Sequence, residues 1–174
     1  DTNITVQAER NVSRAKVETK TAATGFIENL NPFDPVLAEM REAARRPQSR
    51  FNIRYEEENA AGILLPHLSV LKRLSQFLSY RASAELTLGR SDVALADVLL
   101  TLRLAESIDN ERTLIALLVR IATVNIAVQP TGEGMAARRW NDAQLQALSG
   151  AFARGVDDVG RGVALAGAAG RERR

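Results

Sequence analysis

Apolar positions recur along most of this chain at spacings of three and four residues, the period of an amphipathic helix. The first thirty residues carry the weakest version of the pattern. Ala8, Val12 and Ala15 fall at helical spacing there and predict one fraying helix. Leu30-Asn31-Pro32-Phe33-Asp34-Pro35 reads as a turn, with Asp34 expected to cap the next helix and Pro35 at its first position. Val36, Leu37, Met40, Ala43 and Ala44 then share a face, and Pro47 is expected to stop the helix. Phe51, Ile53 and Tyr55 alternate with polar residues, an extended segment too short for a sheet. A further helix is expected from about Glu56, where Glu56, Glu57 and Glu58 suit the positive end of a helix dipole, and Pro66 breaks or kinks it.

The remaining pattern is stronger. A long helix is predicted from about His67 to Leu88, ending at Gly89. The next, from Asp92 to Ser107, has two apolar stripes: Val98, Leu102 and Ala105 on one side, Val93, Leu100 and Leu104 on the other. Two stripes require two neighbours, as in stacked helical hairpins. The helix from Asn110 to Gln129 is apolar over more than half its circumference and is expected to be central, with Pro130, Gly132 and Gly134 ending it. Asn141 is placed to cap a last helix that buries Leu145, Leu148 and Phe152. Beyond it Gly155, Gly160, Gly162, Gly167 and Gly170 thin out the side chains, so this end either moves or packs closely on another surface.

The stretch from Leu78 to Glu106 resembles one tetratricopeptide repeat. Ala82, the Gly89 turn and Ala94 occupy its small-residue positions, Thr101 stands where alanine is usual, and no second copy of about 34 residues follows. The expected fold is all-α, with stacked antiparallel helices in a tetratricopeptide-like or solenoid-like arrangement. Its expected parts are an N-terminal extension over 1–34, a helical domain over 35–154 and a Gly/Arg-rich segment over 155–174.

Composition narrows the chemistry. A chain of 174 residues is long enough to bury a core without staples. The absence of cysteine excludes disulfides, thiolate metal sites and cysteine nucleophiles. A single histidine, His67, excludes every two-histidine metal site and any Ser-His-Asp triad not built on it. Twenty of the 23 basic residues are arginine and 27 residues are alanine, a bias that favours helix. The net charge is only +2 with the two signs interspersed, so there is no segregated basic stripe and no nucleic-acid partner is expected. The basic tail Arg171-Glu172-Arg173-Arg174 is too short to change that reading. The longest apolar run, Leu114 to Val128, contains Arg120 and Asn125 and falls short of a bilayer span. The chain begins at Asp1 and not at methionine, so an upstream segment is expected to have been removed. The sequons at Asn3 and Asn11 read as chance, because the alanine and arginine bias suits a GC-rich bacterial genome. With no HExxH, EF-hand or Walker motif, neither a metal nor a cofactor is expected.

Helical projection singles out a few polar residues. On the helix from His67 to Leu88, Arg81 and Glu85 lie within the apolar arc and are four apart, so they can pair. On the next-but-one helix Asn125 projects into the middle of the apolar arc, and Arg120 shares a stripe with Thr113, Ala116, Thr123 and Ala127. These four residues, Arg81, Glu85, Arg120 and Asn125, are expected to form a buried polar cluster. Its bland role is an ion pair that fixes helix register; its functional alternative is a small-ligand or catalytic pocket around Glu85, Arg81 and Asn125. His67 lies about 20 to 27 Å along the same helix from that pair and is expected to be a hydrogen-bonded core or interface residue. Arg45, Arg46, Arg50 and Arg54 form the densest basic run, interleaved with Phe51 and Tyr55, and are the candidate anion- or partner-binding residues. The acids Glu56 to Glu58 follow at once and can neutralise them. Trp140 is expected to be a packing anchor.

Several strings taken together carry a resemblance: Arg46-Pro47-Gln48-Ser49-Arg50-Phe51, Leu64-Leu65-Pro66-His67-Leu68, Ala94-Leu95-Ala96-Asp97, Leu102-Arg103-Leu104-Ala105-Glu106-Ser107, Leu118-Val119-Arg120-Ile121-Ala122 and the stretch from Glu133-Gly134 to Trp140. In that order, over roughly residues 35 to 150, the chain resembles an uncharacterised family of large helical proteins from Planctomycetes and Verrucomicrobia-type bacteria. Asn110-Glu111-Arg112-Thr113 departs from it where the family often has a proline after the acidic residue. The resemblance implies a membrane-anchoring segment upstream, and hence a periplasmic or envelope location, with the cytoplasm as the alternative. The expected function is a non-enzymatic protein-interaction or scaffold domain with protein partners, the pocket around Glu85 being the alternative.

Overall fold

The computed structural model describes residues 2–46, 48–51, 66–111 and 113–171, with side chains described at 10–46, 48–51, 66–111, 113–157 and 159–160. In chain order the helices are α1 (Thr2–Leu30), a 3-10 turn (Asn31–Phe33), α2 (Asp34–Ala44), α3 (Pro66–Thr87), α4 (Ser91–Glu106), α5 (Leu114–Ala136) and α6 (Asp142–Arg171). No strand occurs among the described residues. The extended alternation at Phe51, Ile53 and Tyr55 and the helix expected from Glu56 lie, apart from Phe51, outside the described residues.

α3, α4 and α5 pack on one another most extensively and carry the core. α6 lies against α4 and α5, α2 against α4, and α1 against α3. The α3–α4 turn has a direct chemical cause. Gly89 sits at φ 81°, Arg90 N–H donates to the Glu85 carbonyl and Gly89 N–H to that of Leu86. This 6→1, 5→2 pair of bonds closes the helix on the left-handed residue that glycine adopts without a Cβ penalty. Ala82 and Ala94 are both fully buried, so the hairpin's helices approach closely where their side chains are smallest. They join Leu86, Val98, Leu102, Ala127, Trp140, Leu148 and Ala151 in one apolar cluster that unites α3 to α6. A second cluster, Leu68, Leu71, Ile108 and Ala116, holds the N-terminal ends of α3 and α5. A third, Leu37, Leu78 and Leu100, seats α2 on α3 and α4.

Several expected boundaries move for identifiable reasons. α1 is one continuous helix whose described side chains stay mostly exposed until Ala23 and Ile27. Asp34 is the first residue of α2 and not its cap; Phe33 occupies the cap position and makes no side-chain cap bond. α5 does not stop at Pro130 but continues to Ala136. Proline leaves the carbonyl of Ile126 without its helical donor, and the Ser79 hydroxyl of α3 supplies one at 3.2 Å. Gly134 is required by the partner it meets: a Cβ there would run into the Trp140 indole, whose Nε1 donates to the Thr131 carbonyl at 3.0 Å. Asn141 caps α6 as expected and does so reciprocally. Its Oδ1 accepts from Gln144 N–H at 2.9 Å while the Gln144 side chain accepts from Asn141 N–H at 3.0 Å. Gln144 Nε2 also donates to Asp92 Oδ1 at 2.7 Å and so ties the start of α6 to that of α4. The buried face of α6 is Gln144, Leu148 and Ala151, with Leu145 exposed.

Candidate functional site

The polar residues of the interior close on one another. Asp97, on α4, is fully buried. Its Oδ2 accepts from Arg81 Nη1 of α3 and its Oδ1 from Arg41 Nη2 of α2, both at 2.6 Å. Burial pushes the Asp97 carboxyl above the ordinary aspartate range, against the opposing pull of Arg81 and then of Arg41. Arg81 Nη2 also lies 3.4 Å from Asp34 Oδ1 at the start of α2 and 3.8 Å from Glu85 Oε1. Glu85 in turn accepts from Arg90 Nη1 at 3.3 Å. Three arginines and three carboxylates thus join α2, α3, α4 and the α3–α4 turn. Arg103 extends the network by donating to the Ala44 and Arg46 carbonyls, so a guanidinium satisfies acceptors at the C-terminal end of α2.

The expected cluster is therefore only half assembled. Arg81 and Glu85 come together, as their four-residue spacing requires. Arg120 is buried elsewhere and pairs with Asp109 at 2.8 Å, and Asn125 is exposed on the outer side of α5. Asp97 and Arg41 are the members that projection missed. The signal was present: Asp97 interrupts the stripe Val93, Leu100, Leu104, and Arg41 stands between Leu37 and Ala44 at the same four-three spacing. A charge inside an apolar stripe must find a partner across the interface that buries it.

His67 Nε2 donates to Glu111 Oε1 at 2.6 Å and the ring stacks on Phe51 at 4.5 Å, which ties the start of α3 to the segment before α5. The basic run does not act as a unit. Arg45 pairs with Glu42, the Arg46 carbonyl takes Arg103, Arg50 is exposed, and Arg54 lies outside the described residues. Among the described residues no group of three or more His, Cys, Asp or Glu is placed to hold a metal.

The outer face of α5 is of a different kind. Leu114, Leu118, Ile121, Asn125, Val128, Gly132 and Met135 follow a strict four-three spacing and all lie exposed. The five apolar side chains among them are between 39% and 64% exposed, and Ile115 adjoins them at 58%. The opposite side of the same helix, from Ala116 through Arg120, Thr123 and Ala127 to Pro130 and Gly134, is buried in the bundle. Continuation through Pro130 makes α5 long and apolar enough to cross a membrane by composition, which the shorter run expected from the sequence was not. Between α5 and α3 lies a groove of about 490 Å³. It is lined by Lys72, Gln76 and Tyr80 on one side and by Ala122, Asn125 and Gln129 on the other. Comparisons with protein families, with curated proteins and with solved structures find no match for the chain.

Proposed function

We propose that this chain is a non-enzymatic helical domain that binds protein surfaces through the outer face of α5. One contrast carries the reading. The interior charges are spent on one another, in the fork of Arg81 and Arg41 on Asp97, whereas the apolar residues of α5 stay uncovered in one contiguous stripe. A stripe of this size on a soluble surface marks a contact site, since water exacts a cost for every apolar group left exposed. The α3–α4 hairpin, with the small residues Ala82 and Ala94 fully buried in it, supports a tetratricopeptide-like unit, a scaffold suited to protein contacts. The resemblance to large helical proteins of Planctomycetes and Verrucomicrobia-type bacteria supports a place in the bacterial envelope, which fractionation of the producing cells tests.

A photo-crosslinking amino acid placed at Ile121 or at Val128, in the cells that make the protein, tests the contact surface. Protein adducts are expected at both positions and not at Gln146, an exposed residue of α6. Equal labelling at all three positions, or none at any, overturns the assignment.

A further inference from the structure

We infer that the outer face of α5 is covered by the same face of a second copy of this chain, laid antiparallel about a two-fold axis at Asn125. The inference rests on the reading of this face as a protein contact and names its occupant. Leu114, Leu118, Ile121, Asn125, Val128, Gly132 and Met135 alternate steps of four and three, the repeat that lets two helices interlock along a seam. Asn125 stands at the midpoint of the seam, ten residues before Met135 and eleven after Leu114. A lone asparagine at such a position weakens the contact but specifies its alignment, because its amide is satisfied only opposite a matching amide.

Antiparallel alignment on Asn125 makes the rest of the seam complementary. Leu118 comes opposite Gly132 of the copy, a large residue against an absent side chain, and Ile121 comes beside Val128, one position off the exact opposite. Opposed helices also set their dipoles head to tail, which a parallel pair does not. A parallel pair would set Arg138 and Arg139 against their own copies and Gly132 against Gly132. The area is adequate: six partly exposed apolar side chains at roughly 100 Å² each present on the order of 600 Å². With Tyr80 and Gln76 beside the groove, this approaches the ~800 Å² per partner of a standard stable interface.

The full chain is expected to sediment as a dimer at micromolar concentration. Leu118→Glu, which places a carboxylate in the seam on the exposed side of the helix, is expected to weaken association on the order of 100-fold with the far-UV circular dichroism unchanged. Because the chain has no cysteine of its own, single cysteines report the alignment. Asn125→Cys is expected to form a disulfide-linked dimer on mild oxidation, and Met135→Cys is not. Met135→Cys crosslinking as readily as Asn125→Cys overturns the antiparallel seam. A monomer that floats with vesicles of phosphatidylcholine and phosphatidylglycerol overturns both this inference and the protein-contact reading beneath it. A monomer that ignores vesicles but still yields adducts with another protein at Ile121 overturns self-pairing and leaves that reading standing.

Discussion

Removing the Asp97 carboxylate strands the guanidinium that α3 has buried against it. In Asp97→Ala, Arg81 loses its closest partner, the 2.6 Å bond, while its side chain remains only 8% exposed. Arg41 loses an equally short bond, but a third of its side chain is already exposed and it can turn to water. The cost therefore falls mainly on Arg81. Breaking one partner out of a buried pair costs about 3–5 kcal/mol. Arg81 keeps Asp34 at 3.4 Å and Glu85 at 3.8 Å, so the lower end of that range applies, about 3 kcal/mol. A domain of this size has roughly 5–15 kcal/mol in total, so the variant still folds and the loss is measurable by urea denaturation followed by circular dichroism. The double variant Asp97→Ala with Arg81→Met separates a stranded charge from a simple cavity. It removes both charges of the 2.6 Å pair, leaves Glu85 with Arg90, and is expected to recover at least about 1 kcal/mol relative to the single variant. A single variant within about 1 kcal/mol of the parent, or a double variant no better than the single one, would refute the stranding argument.

Three further outcomes follow from local contacts. Gly134→Ala drives a methyl into the Trp140 indole and is expected to cost about 1–3 kcal/mol, with a red shift in the emission of the chain's single tryptophan as the ring is displaced. Ser79→Ala leaves the Ile126 carbonyl, already deprived of a donor by Pro130, without its hydroxyl partner; a loss of about 1 kcal/mol in the unfolding free energy from urea titration is expected, and none in a Pro130→Ala background, where the helical donor returns. Arg138, the non-glycine residue at φ 51°, closes α5 with the same 6→1 and 5→2 bonds that Gly89 gives α3, so Arg138→Gly is expected to stabilise the protein by about 0.5–1 kcal/mol.

The comparison of α3 with α5 shows what projection on a helix can and cannot deliver. The hairpin from α3 to α4 was legible because its determinants are local: an apolar period, then Gly89, then a second period. The pairing of Arg81 with Glu85 was legible for the same reason, being four residues within one helix. Asp97 and Arg41 were not, since their partner lies on other helices and only their position in an apolar stripe betrays them. The end of α5 was misplaced because proline and glycine are read as punctuation. Here Ser79, distant in sequence, and Trp140, just past the helix end, supply what those residues remove.

Asn125 carries this argument one step further. Its position in the middle of an apolar arc implied burial, yet the bundle buries the other side of α5. The arc is wide because it is two stripes. One, through Ala116, Thr123 and Ala127, is used by the chain's own core, and the other, through Leu118, Ile121 and Val128, is not. A single core stripe occupies roughly 100° of a helix, so apolarity over more than half the circumference already exceeds what one bundle can cover. The polar residue at the centre of the second stripe then has the meaning it would have in an internal seam, a register mark. In the self-pairing inferred above, the surface that reads it comes from outside the bundle, and the seam's near-symmetry about Asn125 makes that surface a second copy of the same helix.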